Sequence, residues 1–362
     1  MEYARTFPAY RFRGSHREIG RQFGEATREL TRQHRDLAVA RLGANSGVGA
    51  EDALAAALRY RPFVQEYAPF LDEEIVGVAE GAGLTLAEAY LLQLRAELAN
   101  TAGLYDEIGD ECTTFAVLAE QTTNGSPLIG QNADLPAFYK GIGVVIEITS
   151  DDGLPPVLML TPAGQVSYIG INGEGLGVFA NFLTCDGWRL GFPRYLLSRL
   201  ALTHRTVDAA IAAIDGVPRA SSRNMLLLDT QGGAADLETT PTRSARLRPG
   251  LGFIAHANHY VAPSLLGEER YAEGPRENSC TREGRMIELL ALHRGNLDAA
   301  RMQELLRDRA TAPDTLSRAP EDDPTRDVIT FASVIAEPAL GQMWVAVGPP
   351  HQHAYQRYAF SA

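Results

Sequence analysis

The stretch Asp110-Glu111-Cys112-Thr113-Thr114-Phe115-Ala116-Val117-Leu118 divides the chain into two textures, and the rest of the sequence is read from it. From Thr113 to Leu118 the residues are β-branched, aromatic or aliphatic, the composition of a buried strand. A cysteine stands at the junction. Taken alone, a cysteine that opens a strand is a half-buried core thiol, so its meaning has to come from what surrounds it.

Towards the N-terminus the first 110 residues read as helical. Ile19, Phe23, Ala26 and Leu30 recur at helical spacing, as do Leu71, Ile75, Val78 and Ala82. Gly83 is placed to end the second of these helices. Thr85 and Glu88 form a capping-box pattern that opens a third, through Leu94. Gly43 to Gly49 predicts a loop.

Towards the C-terminus short apolar or alternating runs follow one another: 127–130, 144–148, 157–160, 166–171 and 176–182. Asn124-Gly125 and Asn172-Gly173 supply hairpin signals. Helical segments are predicted over 194–202 and 207–214, strands over 224–229, 234–238 and 253–256, and a helical pair over 282–292 and 297–307. Two strands, 330–336 and 343–347, close the chain after an acidic, proline-containing loop over 313–324. Antiparallel strands interrupted by helices, several of them apolar on both faces, predict an α+β protein with two stacked sheets covered by helices.

The chain has 362 residues, 45% of them hydrophobic, and a formal net charge of −12. Such an acidic surface disfavours nucleic acid as a partner. The start, Met1-Glu2-Tyr3-Ala4-Arg5, lacks a secretory layout, and apolar runs such as 157–160 are too short to span a bilayer. A cytoplasmic protein without membrane association is predicted. Cys112, Cys185 and Cys280 are odd in number and far apart, so they form neither a disulfide framework nor a C-x-x-C motif. His256 with His259, and His351 with His353, match no zinc pattern, and Gly170, Gly173, Gly175 and Gly177 are not spaced for a dinucleotide. No metal and no cofactor are expected. No G-x-S-x-G elbow is present.

Several segments, in order, change the reading of Cys112. They are Arg13-Gly14-Ser15-His16-Arg17-Glu18-Ile19-Gly20 with Gly24, then Glu74-Ile75 with Gly77-Val78-Ala79-Glu80-Gly81-Ala82-Gly83, then Leu94-Arg95-Ala96-Glu97. Cys112-Thr113-Thr114, Gly130-Gln131-Asn132-Ala133-Asp134, His256-Ala257-Asn258-His259, Thr330-Phe331 and Gly348-Pro349-Pro350 follow. With these the chain resembles the acyl-coenzyme A:6-aminopenicillanic acid acyltransferase family, which includes self-processing acyltransferases and amide hydrolases.

The resemblance implies a four-layer αββα fold of the N-terminal-nucleophile hydrolase type with a helical N-terminal segment. It implies cleavage of the Glu111–Cys112 bond, giving a small chain, 1–111, and a catalytic large chain, 112–362, that stay together. It makes Cys112 the nucleophile, Asn258 the oxyanion-hole asparagine, Asp134 a carboxylate near the new amino terminus, and Arg326, five residues before Phe331, the active-site arginine. The chemistry has an independent rationale. A thiol with a pKa near 8.5 needs a base at neutral pH, and the α-amino group of a chain-initial cysteine, with a reference pKa of about 7.7–8.0, lies on the same residue. In the precursor that nitrogen is an amide, so cleavage would switch activity on. The expected reaction is hydrolysis of a small N-acyl amide through an acyl-enzyme. Acyl transfer from acyl-coenzyme A to an amine is the alternative, and a non-catalytic small-molecule-binding relative is a third.

Overall fold

The computed structural model describes residues 6–46, 49–100, 111–324 and 327–361. In chain order the elements are β1 (Ala9–Gly14), α1 (His16–Ala26), α2 (Arg28–Ser46), α3 (Ala50–Leu58), α4 (Arg61–Tyr67), α5 (Pro69–Ala82), α6 (Leu86–Leu91) and α7 (Arg95–Asn100), followed by β2 (Glu111–Val117), β3 (Leu128–Pro136), β4 (Gly143–Ser150), β5 (Val157–Pro162), β6 (Ile169–Asn172) and β7 (Gly177–Asn181). Next come α8 (Leu196–Ala201), α9 (Val207–Asp215), β8 (Arg223–Leu228), β9 (Ala234–Thr239), β10 (Ser244–Leu247) and β11 (Phe253–His256). The last are α10 (Glu273–Leu292), α11 (Ala299–Leu305), β12 (Val328–Glu337), β13 (Gln342–Val347) and β14 (Tyr355–Ala359).

Two sheets stack face to face. One runs β1-β4-β5-β6-β7-β8-β9-β10 and the other β11-β2-β3-β12-β13-β14. Three apolar cores separate four layers. The first lies between the helices up to α9 and the eight-stranded sheet, with Phe23, Ile75, Leu91, Ile146, Leu197 and Leu227. The second lies between the sheets and holds Cys112, Ala133, Leu160, Phe179, Leu226 and Phe331. The third lies between the six-stranded sheet and α10 and α11, with Phe115, Val117, Met286, Leu290 and Met302. The period of two along β2 thus sends Cys112 and Ala116 between the sheets and Phe115 and Val117 under the outer helices. The αββα layering implied by the resemblance is the observed one.

Close helix packing explains the glycines of the first two segments. A Cβ on Gly77 would stand 2.2 Å from the Arg17 carbonyl oxygen, and one on Gly81 would stand 2.1 Å from that of Arg21. Backbones of α1 and α5 therefore touch with no side chain between them. Gly83 caps α5 at φ 67°, and Thr85 and Glu88 form the reciprocal capping box of α6.

The structure departs from the periodicity reading in several places, and two strands, β10 and β14, fall where none is predicted, so that β14 and not β13 closes the chain. Residues 9–14 form a strand, not part of a helical run, and pair in parallel with β4, so the segment before Cys112 contributes to a sheet as well as a helical layer. Helix α2 continues to Ser46, three residues past Gly43. Helix α10 starts at Glu273, nine residues before its apolar stripe becomes readable. The loop at 173–176 turns through Gly175, at φ 88°, while the Asn172 side chain accepts from the backbone of Glu174 and Leu176.

Candidate active site

Antiparallel pairing of β11 with β2 sets His256 opposite Thr114, so the two residues that follow β11 bring Asn258 to Cys112. The backbone nitrogen of Cys112 donates to Asn258 Oδ1 at 2.8 Å. The side-chain nitrogen of Asn258 donates to the Phe182 carbonyl at 3.1 Å, and its backbone nitrogen donates to Ser279 Oγ at 2.6 Å. Cys112 and Asn258 are both buried.

Arg282, fully buried on α10, clamps this pair. One guanidinium nitrogen donates to the Cys112 carbonyl and to Thr113 Oγ1, both at 2.8 Å, and the other donates to Asn258 Oδ1 at 3.0 Å. Its Nε donates to Asn278 Oδ1 at 2.8 Å. The backbone of Cys112 is thereby held at both nitrogen and carbonyl by side chains. Buried charge is tolerated here because every contact is a charge-assisted hydrogen bond.

Asp134 lies opposite Glu111 in the β2–β3 ladder. Its Oδ1 accepts from Thr330 Oγ1 at 2.6 Å. Complete burial, opposed by the Arg282 charge and the Thr330 hydrogen bond, pushes its carboxyl up to about 7. Glu111 forms a buried ion pair with Arg318, which also reaches Asp323 at 3.5 Å. The Arg318 backbone nitrogen donates to Thr330 Oγ1 at 2.9 Å, joining Arg318, Thr330 and Asp134 in one network. Arg326 lies outside the described residues.

Behind Asn258 sits a buried acid–imidazole network. Ser279 Oγ meets His259 Nδ1 at 2.8 Å, and His259 Nε2 meets Glu283 at 3.1 Å. Burial, with the nearby charges of His256 and Arg282, lowers His259 to about 4, so it is neutral at pH 7 and takes the Ser279 proton as acceptor. His256 Nε2 meets Glu238 at 2.9 Å, and Asp236 lies 3.9 Å away. Burial opposes charge on this ring, but the two carboxylates outweigh it and raise its pKa to about 10. Asp236, Glu238 and His256 are the one group among the described residues with ligand atoms close enough together for a metal ion. Glu238 is already bonded to His256 and to the backbone nitrogens of Val261 and Ala262, which makes the group an ion pair around a charged imidazole. His351 and His353 have separate partners, Ser317 with Arg309 and Lys140 respectively.

Of the four residues singled out from sequence, Cys112 and Asn258 meet, while Asp134 belongs to the neighbouring Glu111–Arg318–Thr330 cluster. Arg282, Ser279 and Arg318 were not foreseen. A signal existed for two of them: Ser279 and Arg282 extend the helical stripe of Met286, Leu289 and Leu290 backwards, so polar residues occupied a buried face.

A family model described as acyl-coenzyme A:6-aminopenicillanic acid acyl-transferase matches residues 121–352. The acyl-coenzyme A:6-aminopenicillanic-acid-acyltransferase 40 kDa form of Emericella nidulans is 29% identical over 281 residues, 77% of this chain and 75% of that relative. Among solved structures, a variant of the conjugated bile acid hydrolase from Clostridium perfringens superposes with a TM-score of 0.46 at 12% identity, covering 69% of this chain and 97% of its own. Penicillin V acylase from Agrobacterium tumefaciens gives 0.47 at 12% identity, covering 65% and 83%. Among the described residues no helix is long and apolar enough to cross a membrane.

Proposed function

The chain belongs to the acyl-coenzyme A:6-aminopenicillanic acid acyl-transferase family, enzymes of the acyltransferase or hydrolase type, and from this we propose that it cuts itself before Cys112 and then hydrolyses a small N-acyl amide through that cysteine. The observation that carries the reading is the hydrogen bond from the Cys112 nitrogen to Asn258.

In the precursor, Cys112 Sγ adds to the carbonyl carbon of Glu111, and the C–N bond breaks with the nitrogen keeping its own proton and taking up the one that the thiol gives up. Water then cleaves the resulting thioester, leaving a carboxylate on Glu111 and a free amine and thiol on Cys112. Residues 1–111 stay attached because β1 pairs with β4 and α1 to α7 share a core with the eight-stranded sheet.

In the mature enzyme the amine takes the thiol proton, and the ammonium formed donates to Asn258 Oδ1. The thiolate attacks the substrate carbonyl. One N–H of the Asn258 amide is committed to Phe182, and the second donates to the oxyanion, an interaction that strengthens in the transition state. Collapse expels the amine, which receives the proton held on the Cys112 nitrogen. Water repeats the sequence on the thioester and releases the acid. Asp134, opposite Glu111 and one register position from Cys112, then lies beside the new ammonium, which draws its carboxyl towards ionisation. For the active-site arginine, Arg318 has more in its favour than Arg326, since it pairs with Glu111 and its backbone bonds Thr330.

The activity named for the Emericella nidulans relative favours a second reading, in which the acyl group comes from a thioester such as acyl-coenzyme A and passes to an amine. Intact mass spectrometry tests the shared step: two chains, 1–111 and 112–362, are expected for wild type and one for Cys112→Ala. A single wild-type chain that is inert to thiol reagents at Cys112 would favour a non-catalytic binding protein. Release of acid from N-acyl amines and N-acyl amino acids then selects hydrolysis, and acylation of amines solely from acyl-coenzyme A selects transfer. The protein is expected to act in the cytoplasm on such small molecules, with no nucleic acid partner.

A further inference from the structure

Helix α10 presents three polar side chains to the residues that follow β11. Ser279, Arg282 and Glu283 are spaced i, i+3 and i+4, on one face of the helix. Arg282 donates to the side-chain oxygen of Asn258 at 3.0 Å, and Ser279 Oγ accepts from the Asn258 backbone nitrogen at 2.6 Å. The imidazole of the next residue, His259, lies between Ser279 Oγ at 2.8 Å and Glu283 at 3.1 Å. The direction of every bond in this series is fixed. A carboxylate only accepts, so the proton of the neutral ring sits on Nε2, and the bare Nδ1 takes the hydroxyl proton of Ser279. The Ser279 oxygen is thereby turned towards the Asn258 N–H.

Anchoring the loop would need no more than an acceptor for that one N–H. Glu283 adds a carboxylate drawn largely out of water, which costs desolvation, and what it secures is orientation, because a hydroxyl rotates until something takes its proton. The surroundings keep the ring in the state required. The His256 ring lies nearly parallel to that of His259, at 23° with centroids 6.2 Å apart. Burial first, then the His256 and Arg282 charges, hold His259 neutral. Burial raises Glu283 to about 7 against the pull of the same two cations, so at pH 8 it is ionised. Asn258 is then fixed at its backbone nitrogen by Ser279, at its amide oxygen by Cys112 and Arg282, and at one side-chain N–H by Phe182. One direction is left for the second N–H.

We infer that Ser279, His259 and Glu283 are positioning residues for the oxyanion donor: Glu283 fixes the tautomer of His259, His259 orients the Ser279 hydroxyl, and Ser279 holds Asn258 so that its second side-chain N–H points at the charge developing on the substrate. This rests on the reading of Cys112 as the nucleophile and Asn258 as the donor.

The test is run at pH 8 on processed protein, with p-nitrophenyl butyrate as an activated acyl donor and Cys112→Ala as the blank for every other nucleophile. Processing is checked by mass and folding by melting temperature. Ser279→Ala and His259→Leu are each expected to lower kcat about tenfold, with KM within about twofold. His259→Asn sets an amide oxygen where Nδ1 stood and should recover most of that loss. Because these residues act through the Asn258 side chain, adding Ser279→Ala to Asn258→Ala should lower kcat by less than about twofold more. No loss in Ser279→Ala, the same loss in both backgrounds, or equal losses in His259→Leu and His259→Asn would overturn the positioning role while leaving the oxyanion donor standing. A wild type that releases no more p-nitrophenol than the blank, or an Asn258→Ala protein as fast as wild type, would remove the reading of the site and the positioning role with it. Imidazole nitrogen NMR of the wild type needs no variant. His259 should show a bare Nδ1 and a protonated Nε2 at pH 8, and the opposite tautomer would overturn the inference.

Discussion

Asn258 Oδ1 accepts a hydrogen bond from the backbone nitrogen of Cys112 at 2.8 Å, across 146 positions of sequence. Two residues past a strand end, the asparagine is fixed from three sides, by Ser279, Phe182 and Arg282. Such preorganisation is what makes a donor effective at an oxyanion, since nothing has to reorient when charge develops. Asn258→Ala should therefore lower kcat by about 10²–10³ with a smaller change in KM. Steady-state kinetics on processed protein measures this. A loss in kcat below about tenfold would rule the side chain out as the oxyanion donor.

Arg282 satisfies the Cys112 carbonyl, Thr113 and Asn258 at once. Arg282→Met leaves three acceptors buried without their donor, and breaking such a charged network costs about 3–5 kcal/mol. Arg282→Lys keeps the charge, but a point ammonium cannot reproduce the fork, so partial loss is expected. Urea unfolding should rank wild type above Lys above Met, and the fraction of processed chain should follow the same order. A Met variant as stable as wild type would mean that α10 does not hold the strand of Cys112 in this way.

The pH dependence of stability has a definite sign at Asp134. Burial raises its native pKa to about 7, against about 3.9 unfolded. Between those values the folded protein keeps a proton that the unfolded chain has released, so the stability contributed by this group is full below pH 4 and is lost as pH climbs to 7. Glu283, raised to about 7 mainly by burial, acts in the same direction, so the variant comparison is needed to isolate one site. In the uncleaved Cys112→Ala protein, the unfolding free energy with Asp134 minus that with Asp134→Asn should fall steadily from pH 4 to 7. A pH-independent difference would show that Asp134 is ionised throughout.

What the sequence disclosed and what it hid follow from the range of the interactions. The cap at Gly83 and the box at Thr85 and Glu88 are local chemistry, and they were legible. So were strands with apolar or alternating character, such as β4 and β8. Strand β3 was read only to Gly130 because Gln131, Asn132 and Asp134 interrupt the apolar pattern. Each bonds a distant partner: Ala180 for Gln131, Leu306 and Leu316 for Asn132, and Thr330 for Asp134. Strand β1 was hidden for a similar reason, since its Arg11 and Arg13 look solvated until β4 pairs with it. The pairing of Cys112 with Asn258 was expected through family resemblance alone; Arg282 shows only as a polar residue on the buried stripe of α10, and Arg318 carries no local signature.

The glycines between α1 and α5 give a prediction in which two effects oppose each other. Alanine is the better helix former by about 1 kcal/mol, so Gly→Ala in a free helix stabilises. That is expected at Gly43, which lies in α2 with nothing near a would-be Cβ. At Gly77 the same methyl would meet the Arg17 carbonyl at 2.2 Å, and at Gly81 the Arg21 carbonyl at 2.1 Å. Both obstacles are backbone, so the helices must move apart, and overpacking of this kind costs typically 1–3 kcal/mol. The clash should win. Helix α5 also carries Glu74, buried between His16 and Arg199 at 2.8 and 2.5 Å, and a displaced α5 would strain both contacts. Gly77→Ala and Gly81→Ala are therefore expected to lower the denaturation midpoint and Gly43→Ala to raise it slightly. The same sign at all three positions would mean that α1 and α5 do not approach backbone to backbone.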